Sequence, residues 1–173
     1  MLITPYNMDI TPNTESLFRI AALTHEDMLA SSLTLPFEIL TGAAQALGRA
    51  GRQRLSTNCF SQAGGPLTIQ SGLTLATRPL SELTQADLLI VPAIWRQPQR
   101  VLRRHPEHIA VIDQHVSAGG LTISVGSGSF LLAETGHMTG RTMTTHWQWF
   151  DTFAHRYPRV HLERRQLITQ SDN

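Results

Sequence analysis

The residues best placed for chemistry lie in a tight turn within the sequence GGLTISVGSGSFLLAETGHMTGRTMTTHW, residues 119–147. The apolar run 121–125 predicts a strand, the small residues Gly126, Ser127 and Gly128 predict a turn, and residues 130–135 predict a helix. In α/β proteins a strand-turn-helix of this kind usually holds a nucleophile or a phosphate. Gly126 stands at the apex and has no side chain, so the turn has the form of an active-site elbow without a reactive group.

Three chemistries associated with such turns are excluded by the residues present. A dinucleotide fingerprint needs G-x-G-x-x-G, but the third glycine position holds Leu131. A hydrolase elbow needs G-x-S-x-G, but Gly126 stands at the serine position, and Ser127 and Ser129 are out of register. A P-loop needs a lysine, and all 14 residues counted as lysine or arginine are arginine, which also excludes Schiff-base catalysis by lysine.

Three histidines are candidates for ligand binding. His146 follows two threonines and opens a predicted helix, residues 146–156, where a side chain and a helix N-terminus can both face a ligand. His105 and His108 have the i, i+3 spacing of metal ligands. Pro106 interrupts that pair and no third ligand is evident, so the sequence predicts a solvated helix entry there and no metal site.

Composition limits the classes of function that the chain can have. With 173 residues, 41% of them hydrophobic, the chain fits one domain with a substantial core, and a net charge of +1 does not favour nucleic acid or acidic lipid. No apolar run approaches a membrane span. The single cysteine, Cys59, lies in the apolar segment LSTNCF and predicts a buried structural residue. We therefore expect a cytoplasmic protein without disulfides, cofactor or membrane contact.

Strands and helices alternate along the chain after an N-terminal leader, residues 1–16. The predicted strands are residues 17–23, 55–60, 68–76, 87–92, 121–125, 159–162 and 166–169, and the predicted helices are residues 36–50, 100–104, 107–118, 130–135 and 146–156, with Trp147 in the core. This alternation predicts a parallel sheet covered on both faces. In such sheets ligands bind beyond the carboxyl ends of the strands.

Residues 118–160 resemble the class I glutamine-amidotransferase-like (ThiJ/PfpI) fold, in the version fused to AraC-type DNA-binding domains. The family pattern FLLAEAGLLDGRRATTHW is matched closely by residues 130–136, 140–141 and 144–147. The segments LTLPFEIL, residues 33–40, and ADLLIVPA, residues 86–93, match more loosely. The resemblance implies a flavodoxin-like three-layer α/β sandwich with a mainly parallel sheet.

The resemblance also implies that the catalytic groups of the family are missing. In its enzymes an elbow cysteine is the nucleophile, an acidic residue after the first strand hydrogen-bonds it, and amides after a glycine pair help to form an oxyanion pocket. Here the cysteine position holds Gly126, the acidic position holds Ser32, and the glycine pair is replaced by Ala93 and Ile94. Glycine enters positive φ without strain, so the elbow keeps its form and we expect no catalytic residue.

We expect the same crevice to bind a ligand. The predicted ligand-binding set comprises Ser32, Ala93, Ile94, Gly126, Ser127, Gly128 and His146. Unpaired N–H groups of Ser127 and Gly128, at the start of the helix, would favour an anionic group. The space left by the absent cysteine side chain would accept a ligand carboxylate or ordered water. The expected ligand is a small polar metabolite with an anionic group.

The resemblance implies that residues 17–173 form a non-catalytic effector-sensing and dimerisation domain of an AraC-family transcriptional regulator. Its expected partners are an unidentified small-molecule effector, a second copy of the chain, and DNA only through a C-terminal helix-turn-helix domain outside these residues. Two alternatives stay open. One is a stand-alone ThiJ/PfpI-type enzyme, hydrolase or glyoxalase-like, that works without the elbow cysteine. The other is a pure dimerisation module whose pocket is vestigial.

Overall fold

The computed structural model describes residues 17–48 and 54–171. The predicted leader, residues 1–16, lies outside the described residues, as does the end of the first predicted helix at residues 49–50. A six-stranded sheet is built from β1 (Leu17–Leu23), β2 (Arg54–Ser61), β3 (Gly65–Thr68), β4 (Thr74–Pro79), β5 (Leu88–Val91) and β6 (Leu121–Ser124). The strand order is β3-β4-β2-β1-β5-β6, and every pair is parallel except the β3–β4 hairpin. The α/β class with a mainly parallel sheet is confirmed.

The helices lie on both faces of this sheet. They are α1 (Ser31–Gly48), α2 (Pro98–Arg104), α3 (Pro106–Ser117), α4 (Ser129–Glu134) and α5 (Phe150–Arg156), and two short strands, β7 (Thr142–Met143) and β8 (His161–Leu162), pair separately. Side chains of α1 pack in one apolar cluster, and those of α2, α3, α4 and α5 pack in another. This arrangement is the predicted three-layer sandwich. Within residues 17–48 and 54–171, no helix combines the length and the apolar character needed to cross a membrane.

Strand β1 is central because alternate side chains enter different apolar clusters. Ile20 and Ala22 pack with α1, whereas Ala21 and Leu23 pack with the helices of the opposite face. Strand β5 shows the same division, and all four of its residues are buried. Continuous burial of this kind is the mark of a parallel strand covered on both sides, and it explains why residues 17–23 and 87–92 could be predicted.

Helix α1 begins five residues before the predicted start. The spacing of apolar residues predicts a helix from Pro36, but this proline lies inside the helix. The carbonyl of Ala30 accepts bonds from the amides of Leu33 and Thr34, which forms a helical turn ahead of the proline. Ser32 therefore lies in the first turn of α1. The apolar side chain of Ile39, on α1, is 61% exposed.

The predicted strand at residues 68–76 is two strands, β3 and β4, joined by a turn at Gly72, where φ is +82°. Residues 166–169 form no strand. Instead the hydroxyl of Thr169 accepts a bond from the amide of Thr144, so this segment is held by a side chain rather than a ladder of backbone bonds. Its apolar side chains, Leu167 and Ile168, are exposed. The apolar composition predicts a strand, but the backbone of these residues is not paired with any strand of the described structure.

The position predicted for Trp147 is wrong, because this side chain is 72% exposed. Residues Trp147–Trp149 form a 3₁₀ turn before α5, which changes the angular spacing of side chains from that of an α-helix. Trp149 therefore packs on the core, with its ring 6.5 Å from that of Phe130.

The expectation of a solvated helix entry at His105 and His108 is also wrong. The two side chains are buried, with relative exposures of 5% and 0%. Pro106 is the first residue of α3, and the junction between α2 and α3 is packed against the loop that follows β1. The buried side chain of His25 packs beside the rings of His105 and His108 and covers this helix entry.

The aromatic cluster on the α4–α5 side provides a test of the packing. The Phe153 side chain is fully buried, 5.0 Å from the ring of Phe130 and 4.9 Å from that of Tyr157. We predict that Phe153→Ala lowers the free energy of unfolding by about 4 kcal/mol, because transfer and cavity terms add. Urea denaturation measures the effect. His155→Ala, on an exposed neighbour, is the control and should stay within about 0.5 kcal/mol of the parent.

Candidate functional site

The candidate site lies at the carboxyl ends of β1, β5 and β6, and the region between the loops that follow these strands is called the crevice below. In the sheet, β1 lies between β2 and β5. The chain leaves β1 towards β2 on one side, whereas the chain leaves β5 towards β6 on the other side. The loops after β1 and β5 therefore diverge and leave a space between them. Residues 24–30 follow β1, residues 92–97 follow β5, and a 3₁₀ turn, Gly126–Gly128, follows β6. The order of the strands therefore brings together residues that are far apart in the sequence.

Gly126 adopts the left-handed backbone conformation expected of an elbow, with a φ of +49°, which glycine enters without strain. A Cβ placed on Gly126 would lie 3.6 Å from the Cβ of Ala93 and 3.9 Å from the Cβ of His146, which are ordinary van der Waals contacts. The elbow thus has room for a small side chain, and its only intrinsic cost is the positive φ. Predicted site residues Ala93, Gly126 and His146 are brought together by this geometry.

The backbone amides that face the elbow are bonded to serine hydroxyls. The amide of Ala93 donates to Ser32 Oγ at 2.9 Å, and the amide of Ile94 donates to Ser127 Oγ at 2.9 Å. Each hydroxyl in turn donates to a carbonyl, Ser32 to that of Leu29 at 2.6 Å and Ser127 to that of Ile94 at 2.8 Å. These side chains are buried and fully engaged. Two amides in the place of an oxyanion pocket are therefore already bonded within the protein.

Gly128 is needed for a close approach between the elbow and β5. A Cβ at this position would lie 2.6 Å from the carbonyl oxygen of Val91 and 2.5 Å from that of Pro92. The Gly128 amide donates to the carbonyl of Val125 at 2.9 Å, so the predicted unpaired N–H group at this residue is wrong. Helix α4 has only six residues, and its N-terminus offers no separate anion site. The turn is closed by its own backbone bonds.

A hydroxyl pair connects the elbow to the segment that carries His146. Ser129 Oγ donates to Thr145 Oγ1 at 2.7 Å, and Thr145 Oγ1 donates to the carbonyl of Gly126 at 3.3 Å. Both hydroxyls are buried. Thr145 was not among the predicted site residues, although it belongs to the TTHW segment that supports the resemblance.

His146 lies at the open side of the crevice. Its Nδ1 accepts a bond from the amide of Gln148 at 3.3 Å and caps the 3₁₀ turn, which leaves Nε2 for another partner. The side chain is exposed, and its ring lies 5.3 Å from the ring of Trp147, which is exposed as well. This pair combines a polar nitrogen with an apolar plane beside the elbow.

The loop after Ile94 carries backbone strain that the sequence did not predict. Arg96 and Gln97 have φ values of 60° and 48°, a region that residues other than glycine rarely occupy. Such strain is concentrated at functional sites in proteins. Trp95, half-exposed, stacks under the Arg96 guanidinium at 5.4 Å. The same edge of the crevice therefore has a cation and an aromatic ring.

Cys59 does not take the place of the missing elbow thiol. It lies on β2, paired in register with Ala22, and is half-buried. Burial raises the pKa of the Cys59 thiol, which keeps it protonated and weakly nucleophilic. Cys59 lies on a strand as predicted, but it is only partly buried.

Two surface cavities lie at the other end of the sheet. They have volumes of about 340 Å³ and 430 Å³ and share Arg19, near the start of β1. Neither is lined by Ser32, Gly126 or His146. Neither cavity contains the elbow, so the crevice is the stronger candidate.

Comparisons with known proteins agree with the fold. The model of the DJ-1/PfpI family matches residues 19–169. The HTH-type transcriptional regulator CdhR of Pseudomonas aeruginosa is 31% identical over 103 residues, which are 58% of this chain and 30% of that regulator. This chain therefore matches less than a third of CdhR's length.

Solved structures show the same fold at low sequence identity. An AraC family transcriptional regulator from Pseudomonas putida has a TM-score of 0.70 and 21% identity, covering 84% of this chain and 76% of that one. A ThiJ/PfpI family protein from Pseudomonas syringae has a TM-score of 0.72 and 19% identity, covering 98% and 68%. At these identities the likeness concerns the fold.

The two glycines of the elbow should respond differently to substitution. We predict that Gly128→Ala lowers the free energy of unfolding by at least about 2 kcal/mol. The new methyl group would clash with the carbonyl oxygens of Val91 and Pro92, which are backbone atoms and cannot rotate away as a side chain can. Gly126→Ala should cost about 1 kcal/mol, the strain of positive φ alone. Urea denaturation of both variants measures the difference. A larger cost at Gly126 than at Gly128 would contradict the described approach of the elbow to β5.

Proposed function

The chain belongs to the DJ-1/PfpI family, and from that premise we propose that it is a non-catalytic, effector-binding and dimerising domain of a transcriptional regulator. The observation that carries the proposal is the elbow: Gly126 has no reactive group, and the amides of Ala93 and Ile94 are held by serine hydroxyls. The crevice keeps a defined form without the groups that catalysis needs.

Each missing group removes a separate contribution to acyl-transfer chemistry. Nucleophilic catalysis needs an activated side chain at the apex, and Gly126 provides none. Stabilisation of an oxyanion needs donors aimed at the developing charge, but the nearby amides of Ala93 and Ile94 already donate to Ser32 and Ser127. The hydroxyl of Ser32 cannot replace a carboxylate as a charged partner of a nucleophile. Binding is the activity that these residues support.

The groups that remain open at the crevice favour a small polar ligand with an anionic part. His146 has a free Nε2, and Arg96 supplies a positive charge on the loop after β5. The exposed rings of Trp95 and Trp147 offer apolar planes for the rest of the ligand. Space for a small group lies between Gly126, Ala93 and His146.

The regulatory part of the proposal rests on the relatives. CdhR is named an HTH-type transcriptional regulator, and the Pseudomonas putida protein is named an AraC family transcriptional regulator. In the part of this chain that the structure describes, α1 to α5 belong to the layers around the sheet, so DNA contact is assigned to a separate helix-turn-helix domain. The gene downstream of codon 173 tests this assignment: an in-frame helix-turn-helix domain supports it, and a stop codon at that point contradicts it.

Blocking the elbow should abolish ligand binding. A panel of small carboxylates and phosphates is screened by thermal shift, since a ligand at 100 times its Kd stabilises the folded chain by about 2.7 kcal/mol. We predict that Gly126→Leu removes the stabilisation, because its side chain fills the space beside Ala93 and His146.

Gly136→Leu is the matched control for this experiment. Gly136 also has a positive φ, +84°, and a side chain there would enter open space away from the crevice. The two variants therefore carry similar backbone strain. Only the leucine at position 126 would fill the space beside Ala93 and His146. Stabilisation that persists in Gly126→Leu would place the effector site elsewhere and favour the dimerisation module without a working pocket.

Dimer formation follows from the proposed regulatory role, because paired DNA half-sites are read by two-fold symmetric proteins. On α1 the side chains of Leu35 and Ile39 lie one helical turn apart and are 56% and 61% exposed. We propose this strip as a contact between two copies of the chain.

Sedimentation at increasing protein concentration tests the dimer. We predict a dimer for the parent and a shift to monomer for Ile39→Glu, because a buried unpaired carboxylate at the contact is costly. Thr41→Glu places the same charge on another face of α1 and should leave the dimer intact. A parent chain that stays monomeric at high micromolar concentration would contradict the proposed association.

A further inference from the structure

A buried group of titratable side chains lies outside the crevice, which we name the histidine cluster: His25, His105, Glu107 and His108. His25 follows β1, while the other three residues lie at the junction of α2 and α3. The histidines have relative exposures of 1%, 5% and 0% in chain order. Their ring centroids lie 5.2 Å (25 to 105), 6.0 Å (25 to 108) and 5.0 Å (105 to 108) apart. Nothing in the proposed function uses this cluster.

The cluster contains most of the buried polar atoms that have no hydrogen-bond partner. Among the described residues these atoms are His25 Nδ1 and Nε2, Asp27 Oδ2, His105 Nδ1 and Nε2, Glu107 Oε1, His108 Nδ1, and Thr122 Oγ1. Only the threonine lies outside the cluster and its neighbour Asp27. Each buried polar atom without a partner lowers the stability of the folded state by about 1–3 kcal/mol. Several such atoms in one cluster therefore indicate a shared ligand that bonds to them.

The two ring nitrogens of His108 have different partners, and one of them lacks a hydrogen-bond donor. Its Nε2 lies 3.1 Å from the carbonyl oxygen of Thr24, which can only accept, so this nitrogen carries the proton. In the neutral ring Nδ1 then presents a lone pair, and it faces Glu107 Oε1 at 3.4 Å. Two acceptors face each other without a donor between them. A cation between Nδ1 and the carboxylate resolves the conflict.

The distances fit a tetrahedral metal ion. Glu107 Oε1 lies 3.4 Å from His105 Nδ1 and 3.4 Å from His108 Nδ1, and one ligand atom from each of these residues lies within 4.8 Å of the others. Ligand atoms about 2.0–2.1 Å from a tetrahedral zinc ion are about 3.4 Å from one another, and imidazole rings on one such ion have centroids about 5 Å apart. The ring of His25 meets this second condition towards His105, at 5.2 Å, but lies 6.0 Å from the ring of His108, so His25 would have to move closer to become a ligand.

The charges around the cluster also favour a divalent cation. Glu26, Asp27 and Glu107 supply three carboxylates, while Arg104 supplies one positive charge, bonded to Glu26 at 2.9 Å and 3.5 Å from Asp27.

We propose that His105, Glu107 and His108 bind one divalent transition-metal ion, and that His25 supplies the fourth ligand. Three imidazole nitrogens and one carboxylate oxygen in a tetrahedral arrangement suit Zn²⁺. The bond from His108 to the carbonyl of Thr24 is the outer contact that orients a metal-binding imidazole. The burial of all three rings leaves no open position for substrate, so the ion has a structural role.

The ion would hold the loop after β1 against the start of α3. The same loop forms one wall of the crevice, because Leu29 donates to the carbonyl of Ala93 at 2.8 Å and the Asp27 carbonyl accepts from Trp95 at 2.6 Å. Met28 also bridges to Ile94. Metal binding would therefore stabilise the backbone that positions the crevice. The metal site at the histidine cluster does not depend on the effector proposed for the crevice.

Cobalt substitution tests the site directly. The 173-residue chain, purified without a polyhistidine tag and treated with a chelator, is titrated with Co²⁺ and then with Zn²⁺. We predict one Co²⁺ per chain with the intense visible bands of four-coordinate cobalt, displacement of these bands by Zn²⁺, and a higher Tm with either metal. Absence of one-to-one binding, or the weak bands of six-coordinate cobalt, would overturn the proposal and leave a cluster satisfied by buried water.

Glu107→Gln tests the assignment of ligands with little change in shape. We predict that it weakens Zn²⁺ binding more than about 100-fold, because loss of an outer contact alone costs 10–100-fold. His137→Ala is the control, since His137 forms an exposed histidine–carboxylate pair with Asp113 at 2.8 Å and should not contribute. Equal affinity in Glu107→Gln and the parent would overturn the assignment. If the variant does not fold, the cobalt spectrum of the parent still decides the proposal.

Discussion

The close approach of the elbow to the end of β5 is the constraint on which the rest of the crevice depends. Gly128 lies so near the carbonyls of Val91 and Pro92 that no side chain fits between them. Ser127, one residue earlier, bonds both the amide and the carbonyl of Ile94. These contacts fasten the turn after β6 to the loop after β5. Gly126 is then left at the apex with a positive φ, in contact range of Ala93 and His146.

The same bonds determine what the crevice can do. A turn fastened by Ser127, and a neighbouring amide fastened by Ser32, form a rigid and internally satisfied wall. Rigid walls are suited to binding, because little conformational entropy is lost when a ligand enters. They are unsuited to oxyanion stabilisation, which needs donors that are not yet bonded. The absence of a nucleophile at Gly126 and the internal bonding of the amides therefore both support the proposed binding role.

Much of the fold could be predicted because its signals are local. The continuous apolar runs that became β1 and β5 admit few other structures, and small residues after β6 indicate a turn whatever follows. The site residues Ser32, Ala93 and Ile94 were placed by resemblance, and the structure brings them to the elbow. Their internal bonds could not be predicted, since a hydroxyl partner depends on distances that sequence spacing does not define.

Two errors have different physical causes, one a contact between distant parts of the chain and the other a local change of helix type. His105 and His108 were placed in solvent because Pro106 marks a helix entry, yet His25, far away in sequence, covers them. Trp147 was placed in the core on an α-helical spacing that a 3₁₀ turn replaces. The error at the histidines therefore comes from a distant neighbour, and the error at Trp147 comes from the local helix type.

The central claim is that the crevice at the elbow binds a ligand and does not transform it. An NMR titration of the isotope-labelled chain, with a ligand found by thermal shift and followed for several hours, tests both parts in one sample. The account predicts amide shift changes centred on Gly126, Ser127 and His146, and a ligand spectrum that stays unchanged with time. Shift changes confined to another surface, or the appearance of product signals, would contradict it.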